Sequence, residues 1–207
     1  MTMTRIETEE AMVLEWELEN VTPRMIDWFW SNMEKCMLLW HPSQHEPLKW
    51  AKAPVHGNPL SSIHIAPQTW SDGTRQNLYI ELLDISAIPD QLYSYMNHEH
   101  VAVVTCIGMG EEALKNPQHW GYRIHQWSKA DNGVIGSSVA IGELKKEDHD
   151  AKLNWAAHCE EEISNWAVFL PTLYPLYQVV KNTNYNLFAD LSIEKKGDEF
   201  RYKYIKA

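Results

Sequence analysis

The amino-acid sequence predicts an α+β fold, in which a curved antiparallel sheet is covered on one face by a long helix near the C-terminus. Three observations support this prediction. The middle of the chain contains several segments with strand-like alternation, an Asp-Asn-Gly turn separates the last two of them, and a later stretch has the apolar period of a helix. A sheet and a helix packed in this way enclose a cavity, so we expect the functional residues to face it.

The composition is typical of a globular protein whose partner is a small molecule. The chain has 207 residues, of which 44% are hydrophobic and 22% are charged, and its net charge is -10. This negative charge argues against nucleic acid or an anionic membrane as a partner. Ten tryptophans and nine tyrosines combine apolar rings with polar handles. Such residues line pockets for flat aromatic ligands or fill a tryptophan-rich core.

The length and the cysteines predict one domain in a reducing compartment. Residues 1–10 are polar and acidic and are expected to form a flexible tail, followed by a single domain over residues 11–207. The polar and acidic start predicts no signal peptide, and no apolar run approaches the about 18 residues that a membrane-spanning helix needs. Cys36, Cys106 and Cys159 form no CxxC motif, which indicates buried thiols and a cytoplasmic location. The sequence leaves open whether the chain forms a homodimer.

The N-terminal elements are predicted to be a strand, a helix and a second strand. Residues 12–18 alternate apolar and acidic side chains, as a half-buried strand does. Pro23 follows a capping residue and favours a helix, which we expect over residues 25–33. Residues 36–40 form a short apolar run, and Pro42 favours an extended backbone at the residue before it. We therefore expect a strand end that runs into a turn.

The middle of the chain is expected to form the antiparallel sheet. Prolines and a glycine predict a loop over residues 49–60. The predicted strands that follow are residues 61–70, 76–85, 93–107, 122–127 and 134–144. Asp131, Asn132 and Gly133 lie between the last two and predict a tight hairpin, because Asn and Gly tolerate the positive φ of primed turns.

The long helix is predicted to begin where Glu147, Asp148 and Asp150 place negative charge at its N-terminus. Pro171 should kink or end its regular part near Ala167, because proline removes a backbone hydrogen bond. Residues 182–186 are expected to form a break before a charged C-terminal tail. This order of elements is that of the helix-grip fold, similar to the pollen-allergen (Bet v 1) and lipid-transfer (START) type.

His158 and Glu162 are the first candidate half of a metal site. Residues four apart lie on the same face of a helix, so both side chains can converge on one ion. Trp155 and Trp166 lie on the same stripe, and this aromatic area indicates a face that points inward to the cavity. The alternative is a solvated pair, which contributes only about 0.2 to 0.5 kcal/mol to helix stability.

His41, Gln44 and His45 are the second candidate half. They lie within five residues, directly after an aromatic residue and at the predicted turn, so their side chains are expected to be close together. The alternative is an ordinary polar loop.

Three segments carry a resemblance to a known family: H-C-E-E-E-I-S-N-W-A-V-F-L-P-T-L-Y in the long helix, W-H-P-S-Q-H upstream, and E-N-V-T-P-R-M-I-D-W-F-W near the start. The chain resembles the diacetylphloroglucinol hydrolase and phloretin hydrolase family from about residue 14 to residue 177. The resemblance implies a helix-grip fold and a divalent metal, typically zinc, with iron or manganese as alternatives. It also implies hydrolysis of the carbon-carbon bond between an acyl group and a polyhydroxylated aromatic ring.

The family's metal ligands correspond to His41, His158 and Glu162 in this chain. The family has a further glutamate on the strand after the W-H-P segment, but no carboxylate occurs here between residues 46 and 72. We assign the fourth position to Gln68. The alternatives to it are His64 and Glu81. Loss of one anionic ligand is expected to lower the affinity of the site for metal.

Hydrolysis of this kind needs groups that bind and protonate ring hydroxyls. Gln44 lies where the family has a polar contact to a ring hydroxyl. His98 and His100 are expected to share one face of a strand, and Tyr122 and His125 lie on the strand before the hairpin. Either pair is a candidate acid or base, and the alternative is that they are ordinary histidines of a sheet surface.

Three functions therefore compete. The first is a metal-dependent hydrolase that acts on an acylated phenol or a related ketone. The second is a binding protein whose cavity holds an aromatic or hydrophobic ligand without chemistry, and the missing strand carboxylate favours it. The third is a metal enzyme with a different reaction, since a fold does not determine its chemistry.

Overall fold

The computed structural model describes residues 1–56, 58–142, 149–181 and 189–206. The chain divides into two compact units, residues 1–171 and 172–207, where the sequence predicts a single domain over residues 11–207. In the second unit, strands β9 (Ala189–Lys196) and β10 (Glu199–Lys206) form a separate two-stranded sheet.

The first unit is built on an antiparallel sheet, as predicted, and this sheet has eight strands. Its strands are ordered β1-β2-β8-β7-β6-β5-β4-β3. Their bounds are β1 Thr2–Glu7, β2 Ala11–Glu19, β3 Lys49–Lys52, β4 Ile63–Thr69, β5 Arg75–Leu82, β6 His100–Met109, β7 Tyr122–Ala130 and β8 Gly133–Ile141. The helices are α1 Pro23–Ser31, α2 Met33–Trp40, α3 Glu112–Lys115 and α4 His149–Val180, of which α4 runs from the first unit into the second.

The predicted flexible tail over residues 1–10 is wrong for its central part, which forms β1. Met3 pairs with Trp16 of β2, and Arg5 forms an ion pair with Glu160 of α4. Threonine and isoleucine within Thr2–Glu7 favour a strand, and the free edge of β2 supplies the backbone partners.

The predicted hairpin is confirmed, but for a different reason. Ala130 pairs with Gly133, which leaves Asp131 and Asn132 as a two-residue loop. None of the three turn residues has positive φ. Gly133 is required by a close approach instead, because a Cβ atom there would lie 1.9 Å from the carbonyl oxygen of Leu18.

The predicted strand over residues 36–40 is wrong, because these residues belong to α2. Met33, Cys36, Met37 and Trp40 recur at spacings of three and four and are all buried, which is the pattern of a helix face. His41 ends this helix with φ -139° and ψ 84°, so its backbone leaves the helical region but its ψ stays short of the extended region that was expected there.

Other predicted boundaries change as well. Residues Ile85–Ala87 and Asp90–Tyr95 form short 3-10 helices, so the strand predicted to start at residue 93 begins only at His100. The loop predicted over residues 49–60 contains β3. The end of the last predicted strand, residues 143 and 144, lies outside the described residues.

The long helix is confirmed, but it does not end near Ala167. It continues through Pro171 and Pro175 to Val180, because the two missing backbone hydrogen bonds do not outweigh the buried contacts of residues such as Leu170. The acidic residues 147 and 148 and the break predicted at 182–186 lie outside the described residues. No described helix is long and apolar enough to cross a membrane.

An aromatic cluster packs α4 against the sheet and the first two helices. The fully buried ring of Trp166 lies 5.8 Å from Trp16 of β2, 5.4 Å from Phe29 of α1 and 6.1 Å from Trp40 of α2, measured between centroids. Some of the ten tryptophans therefore form core. The contacts also fix the rotation of α4, so that one stripe of the helix faces a cavity.

Candidate metal and ligand site

The first unit contains a cavity of about 420 Å³ between strands β4 to β7 and helix α4. Tryptophans from several elements line it: Trp30, Trp40, Trp70, Trp120 and Trp155. Flat indole rings at several walls suit a planar aromatic occupant.

Three buried side chains bring metal-binding atoms together at the wall of this cavity. His45 lies in the turn after α2, and His158 and Glu162 lie one turn apart on α4. The Nε2 atoms of the two histidines are 3.2 Å apart. Oε1 of Glu162 lies 3.4 Å from Nε2 of His45 and 3.2 Å from Nε2 of His158. We call these three residues the metal triangle.

Hydrogen bonds outside the triangle determine the tautomers of both histidines. Nδ1 of His45 lies 3.1 Å from the carbonyl oxygen of Met37, and Nδ1 of His158 lies 2.8 Å from Oε1 of Gln44. A carbonyl oxygen only accepts, so each Nδ1 donates its hydrogen and each Nε2 keeps a lone pair. The carboxylate of Glu162 is also an acceptor. Three acceptors that converge in this way need a shared proton or a cation between them.

Burial keeps the two imidazoles of the triangle neutral, which favours metal binding, but it disfavours the charged form of the carboxylate. It lowers the pKa of His45 and of His158 to about 4, against the opposing attraction of nearby glutamates, so both imidazoles are neutral at pH 7. Burial raises the pKa of Glu162 to about 7, partly offset by the attraction of His45 and His41. A cation at the centre would stabilise the carboxylate, and neutral imidazole is the form that ligates a metal.

The triangle has the dimensions of a zinc site. Two atoms that each lie about 2.0 to 2.1 Å from zinc, at a tetrahedral angle, are about 3.3 to 3.4 Å apart. The three observed edges are 3.2, 3.2 and 3.4 Å. Two histidines and one carboxylate also match the three-ligand sets of catalytic zinc sites, which leave a fourth position for water or substrate. The donor set therefore fits the divalent metal that the sequence predicts.

His41, which the family resemblance implies as a ligand, lies beside the triangle. Its ring stacks on that of His158 at 4.4 Å and 16°, and its Nδ1 lies 3.5 Å from Oε1 of Glu161. Its buried Nε2 has no hydrogen-bond partner among the described residues. His41 ends helix α2, and the turn that follows it places His45, and not His41, as the third residue of the metal triangle.

The three residues considered for a fourth ligand differ in position. Gln68 is buried, lines the cavity and forms a backbone bridge with His45. His64 also lines the cavity but is not part of the triangle, and burial lowers its pKa to about 4. Glu81 alternates with Ile80, which lines the cavity, so it lies on the other face of β5. The assignment of Gln68 stays a prediction.

Two of the five predicted catalytic residues are at the site. Oε1 of Gln44 accepts a hydrogen bond from Nδ1 of His158, so Gln44 orients a residue of the metal triangle. His125 is a lining residue of the cavity, and its Nδ1 lies 3.0 Å from Oγ of Ser138. That hydroxyl accepts from Nε1 of Trp16 at 3.2 Å and can give its own hydrogen to His125.

The other three predicted catalytic residues lie elsewhere. Tyr122 packs in a separate hydrophobic cluster and lines a second cavity. His100 pairs with Asp27 at 2.9 Å and stacks on Trp127. His98 lies outside β6, within 3.2 Å of Oγ of Ser128, so it does not share a strand face with His100 as predicted.

The sequence prediction missed two charged residues of the cavity, Arg123 and Asp72. Strand alternation could have found Arg123, because it lies two residues before His125 and therefore shares its face. Asp72 lies in the turn between β4 and β5, and no sequence pattern relates it to the other lining residues.

Comparisons with known proteins show the fold. No family model and no curated protein matches this chain. Protein Ms6760 from Mycobacterium smegmatis aligns with a TM-score of 0.56 and 12% identity, over 82% of this chain and 96% of that one. Ara h 8.0201 aligns at 0.51 and 10% identity over 77% and 97%, and major latex-like protein 151 from Panax ginseng at 0.50 and 10% over 74% and 93%. The chain therefore has the predicted α+β, helix-grip fold of the Bet v 1-like type.

Proposed function

We propose that this protein binds a small aromatic molecule in its cavity, next to a divalent metal ion held by His45, His158 and Glu162. One observation carries the proposal: three converging metal-binding atoms form part of the wall of a tryptophan-lined cavity. The volume of about 420 Å³ is that of a site for a small organic ligand. Zinc is the metal that the donor types and distances fit best.

The residues around the triangle support this function by orienting its donors. Gln44 and the carbonyl group of Met37 hold the two imidazoles in one tautomer, which is the usual arrangement around metal-bound histidines. Trp70 lies 5.1 Å from the ring of His158, so an aromatic surface borders the metal position. His125 also lines the cavity, so its imidazole can contact a hydroxyl or carbonyl oxygen of the ligand.

Two measurements on the purified protein test the proposal. Elemental analysis after incubation with zinc and dialysis should find close to one zinc per chain. The neutral fluorescent probe N-phenyl-1-naphthylamine should bind with a stoichiometry of one. A ring placed in the cavity by Ala66→Phe should abolish probe binding, since Ala66 is a buried lining residue. The matched control is Ser94→Phe, which adds the same ring to the second cavity.

Absence of both zinc and probe binding, from a folded wild-type protein, would contradict the proposal. So would equal effects of the two phenylalanine variants. Thermal unfolding of each variant shows whether it is folded.

A second candidate function is hydrolysis of an acylated phenol, and the metal triangle favours it. In this reaction a ring hydroxyl becomes a ketone and water adds to the acyl carbonyl carbon. The bond to the ring then breaks, and its electron pair moves to the ring as an enolate that takes up a proton. A bound zinc ion would polarise the acyl carbonyl and acidify a water molecule. His45, His158 and Glu162 would hold it, and His125 would donate a hydrogen bond to a ring oxygen.

Proton transfer is the weaker part of this second candidate. Burial, assisted by the charge of Arg123, lowers the pKa of His125 to about 3, so it donates a hydrogen bond at neutral pH but does not take up a proton. His64 is the other histidine of the cavity lining outside the metal triangle. Burial and His45 lower its pKa to about 4, so it does not take up a proton at neutral pH either. Binding is therefore the better supported function of the described residues.

Incubation of the zinc-loaded protein with diacetylphloroglucinol, followed by detection of acetate and the deacylated phenol, tests hydrolysis, and Glu162→Gln should abolish it.

A further inference from the structure

His64 differs from the other histidines of the tryptophan-lined cavity in its hydrogen bonding. Four histidines line this cavity, and Nδ1 of His45, of His125 and of His158 each lies within 3.1 Å of an oxygen atom of another residue. Among the described residues, none is a hydrogen-bond partner of the His64 imidazole. A buried polar side chain without a partner is unfavourable for folding, so its partner is expected to come from outside the chain.

The ring nitrogens of His64 face the open space of the cavity. Only 3% of the surface of this residue is exposed. Neither of its ring nitrogens is fully enclosed, however, in contrast to Nε2 of His41. Because His64 lines the cavity, the exposed area that its nitrogens retain belongs to this space. A group bound in the cavity can therefore reach them.

The imidazole of His64 is neutral at pH 7, because burial, with a smaller contribution from His45, lowers its pKa to about 4. A neutral imidazole has one N–H donor and one acceptor nitrogen. No hydrogen bond from the described residues determines which of the two nitrogens carries the hydrogen, so the ring can adapt to a donor or to an acceptor. It therefore suits a neutral hydrogen-bonding group, above all a hydroxyl, which can act as either.

Neighbouring strands hold this ring in place without using its nitrogens. Trp50 of β3 pairs with His64 and meets its ring edge to face, with 6.2 Å between the centroids and 81° between the planes. The indole nitrogen of Trp50 in turn donates to Glu34 of α2. Ile80 of β5 pairs with His64 from the other side and also lines the cavity. The polar atoms of the imidazole thus remain for a ligand.

Strand β4 connects this imidazole with the metal triangle. His64, Ala66 and Gln68 alternate along the strand and all line the cavity, so they share one face. Gln68 forms the backbone bridge with His45, and it follows His64 by about 13 Å of strand, at about 3.3 Å per residue. The small side chain of Ala66 leaves room for an aromatic ring between them. A ligand that lies along β4 can therefore reach the metal with one end and His64 with the other.

We infer that His64 is a specificity-determining residue that forms a hydrogen bond with a neutral polar group of the ligand, such as an alcohol hydroxyl. The occupant of the cavity is then an aromatic molecule with a hydrogen-bonding substituent, and not a plain hydrocarbon. A bound ligand displaces water from the cavity, so an apolar substituent at this position leaves the imidazole unpaired, whereas a hydroxyl replaces the water. This inference rests on the proposed function, because it assigns the class of molecule that the same cavity binds.

Two probes of nearly the same shape test the inference. They are 2-naphthalenemethanol and 2-ethylnaphthalene, in which a hydroxyl takes the place of a methyl group, and equilibrium dialysis gives their affinities. His64→Leu should weaken binding of the alcohol, relative to the hydrocarbon, by about 5-fold or more, which is the effect of one neutral hydrogen bond. His64→Gln should retain part of the preference, because its amide has donors and an acceptor. The matched control is His119→Leu, which removes an imidazole paired with Thr105 outside the cavity lining.

A second measurement uses the wild type alone, so it does not depend on whether a variant folds. The assigned ring nitrogen resonances of His64 should shift more on titration with the alcohol than on titration with the hydrocarbon, because only the alcohol forms a hydrogen bond with the ring. Equal shifts with the two bound probes would overturn the inference.

The outcomes separate this inference from the proposed function. If both probes bind the wild type and His64→Leu weakens them equally, or weakens neither, the inference is overturned while cavity binding stands. If treatment with EDTA removes the relative affinity for the alcohol and His64→Leu retains it, the metal binds the hydroxyl, and the inference is also overturned. If neither these probes nor N-phenyl-1-naphthylamine bind the folded wild type, the proposed function fails and this inference fails with it.

Discussion

The two cavities of the first unit have almost the same volume but opposite chemistry. The first measures about 420 Å³ and the second about 440 Å³. In the second cavity, donors meet acceptors: the hydroxyl of Tyr95 donates to Glu10 at 3.2 Å, and Nζ of Lys152 lies 3.4 Å from the carbonyl oxygen of Glu9. In the first cavity, three acceptors converge on one point. Volume alone does not identify a functional site, whereas a convergence of like groups does.

The largest expected effect is the loss of metal on removal of a triangle residue. His158→Ala should weaken zinc binding more than about 100-fold, because loss of a ligand exceeds the 10- to 100-fold effect of losing an outer partner. Glu10→Gln, in the second cavity, should leave zinc affinity unchanged. Titration against a competing chelator measures both variants. Equal affinities of His158→Ala and the wild type would show that the first cavity does not hold the metal.

The next effect concerns the residue that orients His158. Gln44→Ala removes the acceptor of the Nδ1 hydrogen and should weaken zinc binding about 10- to 100-fold. Gln91→Ala removes an amide from the lining of the second cavity and serves as the control. In a double variant with His158→Ala, the Gln44 change should have no further effect, since both act through one imidazole. Additive effects would contradict the orienting role.

Zinc affinity should also fall with decreasing pH. Because burial raises the pKa of Glu162 to about 7, a proton competes with the metal for this carboxylate below pH 7, which lowers affinity about 10-fold per pH unit. The histidines join this competition only below their pKa values of about 4. Above pH 7 the affinity should level off. The range from pH 5 to 7 covers about two units below the pKa of Glu162. A zinc affinity that does not change over this range would mean that Glu162 is not a ligand.

The smallest expected effect is at Tyr122, a predicted catalytic residue that lines the second cavity. Tyr122→Phe should change zinc affinity and the affinity for N-phenyl-1-naphthylamine by less than about twofold, since the phenol does not line the first cavity. Calorimetry measures both constants. A larger loss would mean that the second cavity takes part in binding, and the contrast between the two cavities would not hold.

The sequence predicts the fold better than it predicts the site. Alternation and the helical period identify the antiparallel sheet and the long helix, because both patterns record a single buried face. The same period is present in residues 33–40, but the short apolar run over residues 36–40, taken alone, predicts a strand end. The helix pair His158 and Glu162 follows from spacing alone, since residues four apart share a helix face.

The rest of the triangle depends on geometry that local patterns do not contain. His41 and His45 are equally plausible ligands in the sequence, and only the end of α2 and the backbone bridge from Gln68 to His45 distinguish them. Arg123 reaches the cavity because β7 lies opposite α4, a relation between distant parts of the chain. Whether His98 and His100 share a face depends on where β6 begins, and strand ends are poorly determined by sequence.

An anomalous-difference map at the zinc edge, from crystals of the zinc-loaded protein, tests the metal triangle most directly. The structure predicts one peak in the first cavity, about 2.0 to 2.2 Å from Nε2 of His45, Nε2 of His158 and a carboxylate oxygen of Glu162. A peak bound by His41 in place of His45, a peak confined to the second cavity, or the absence of any peak would contradict this assignment.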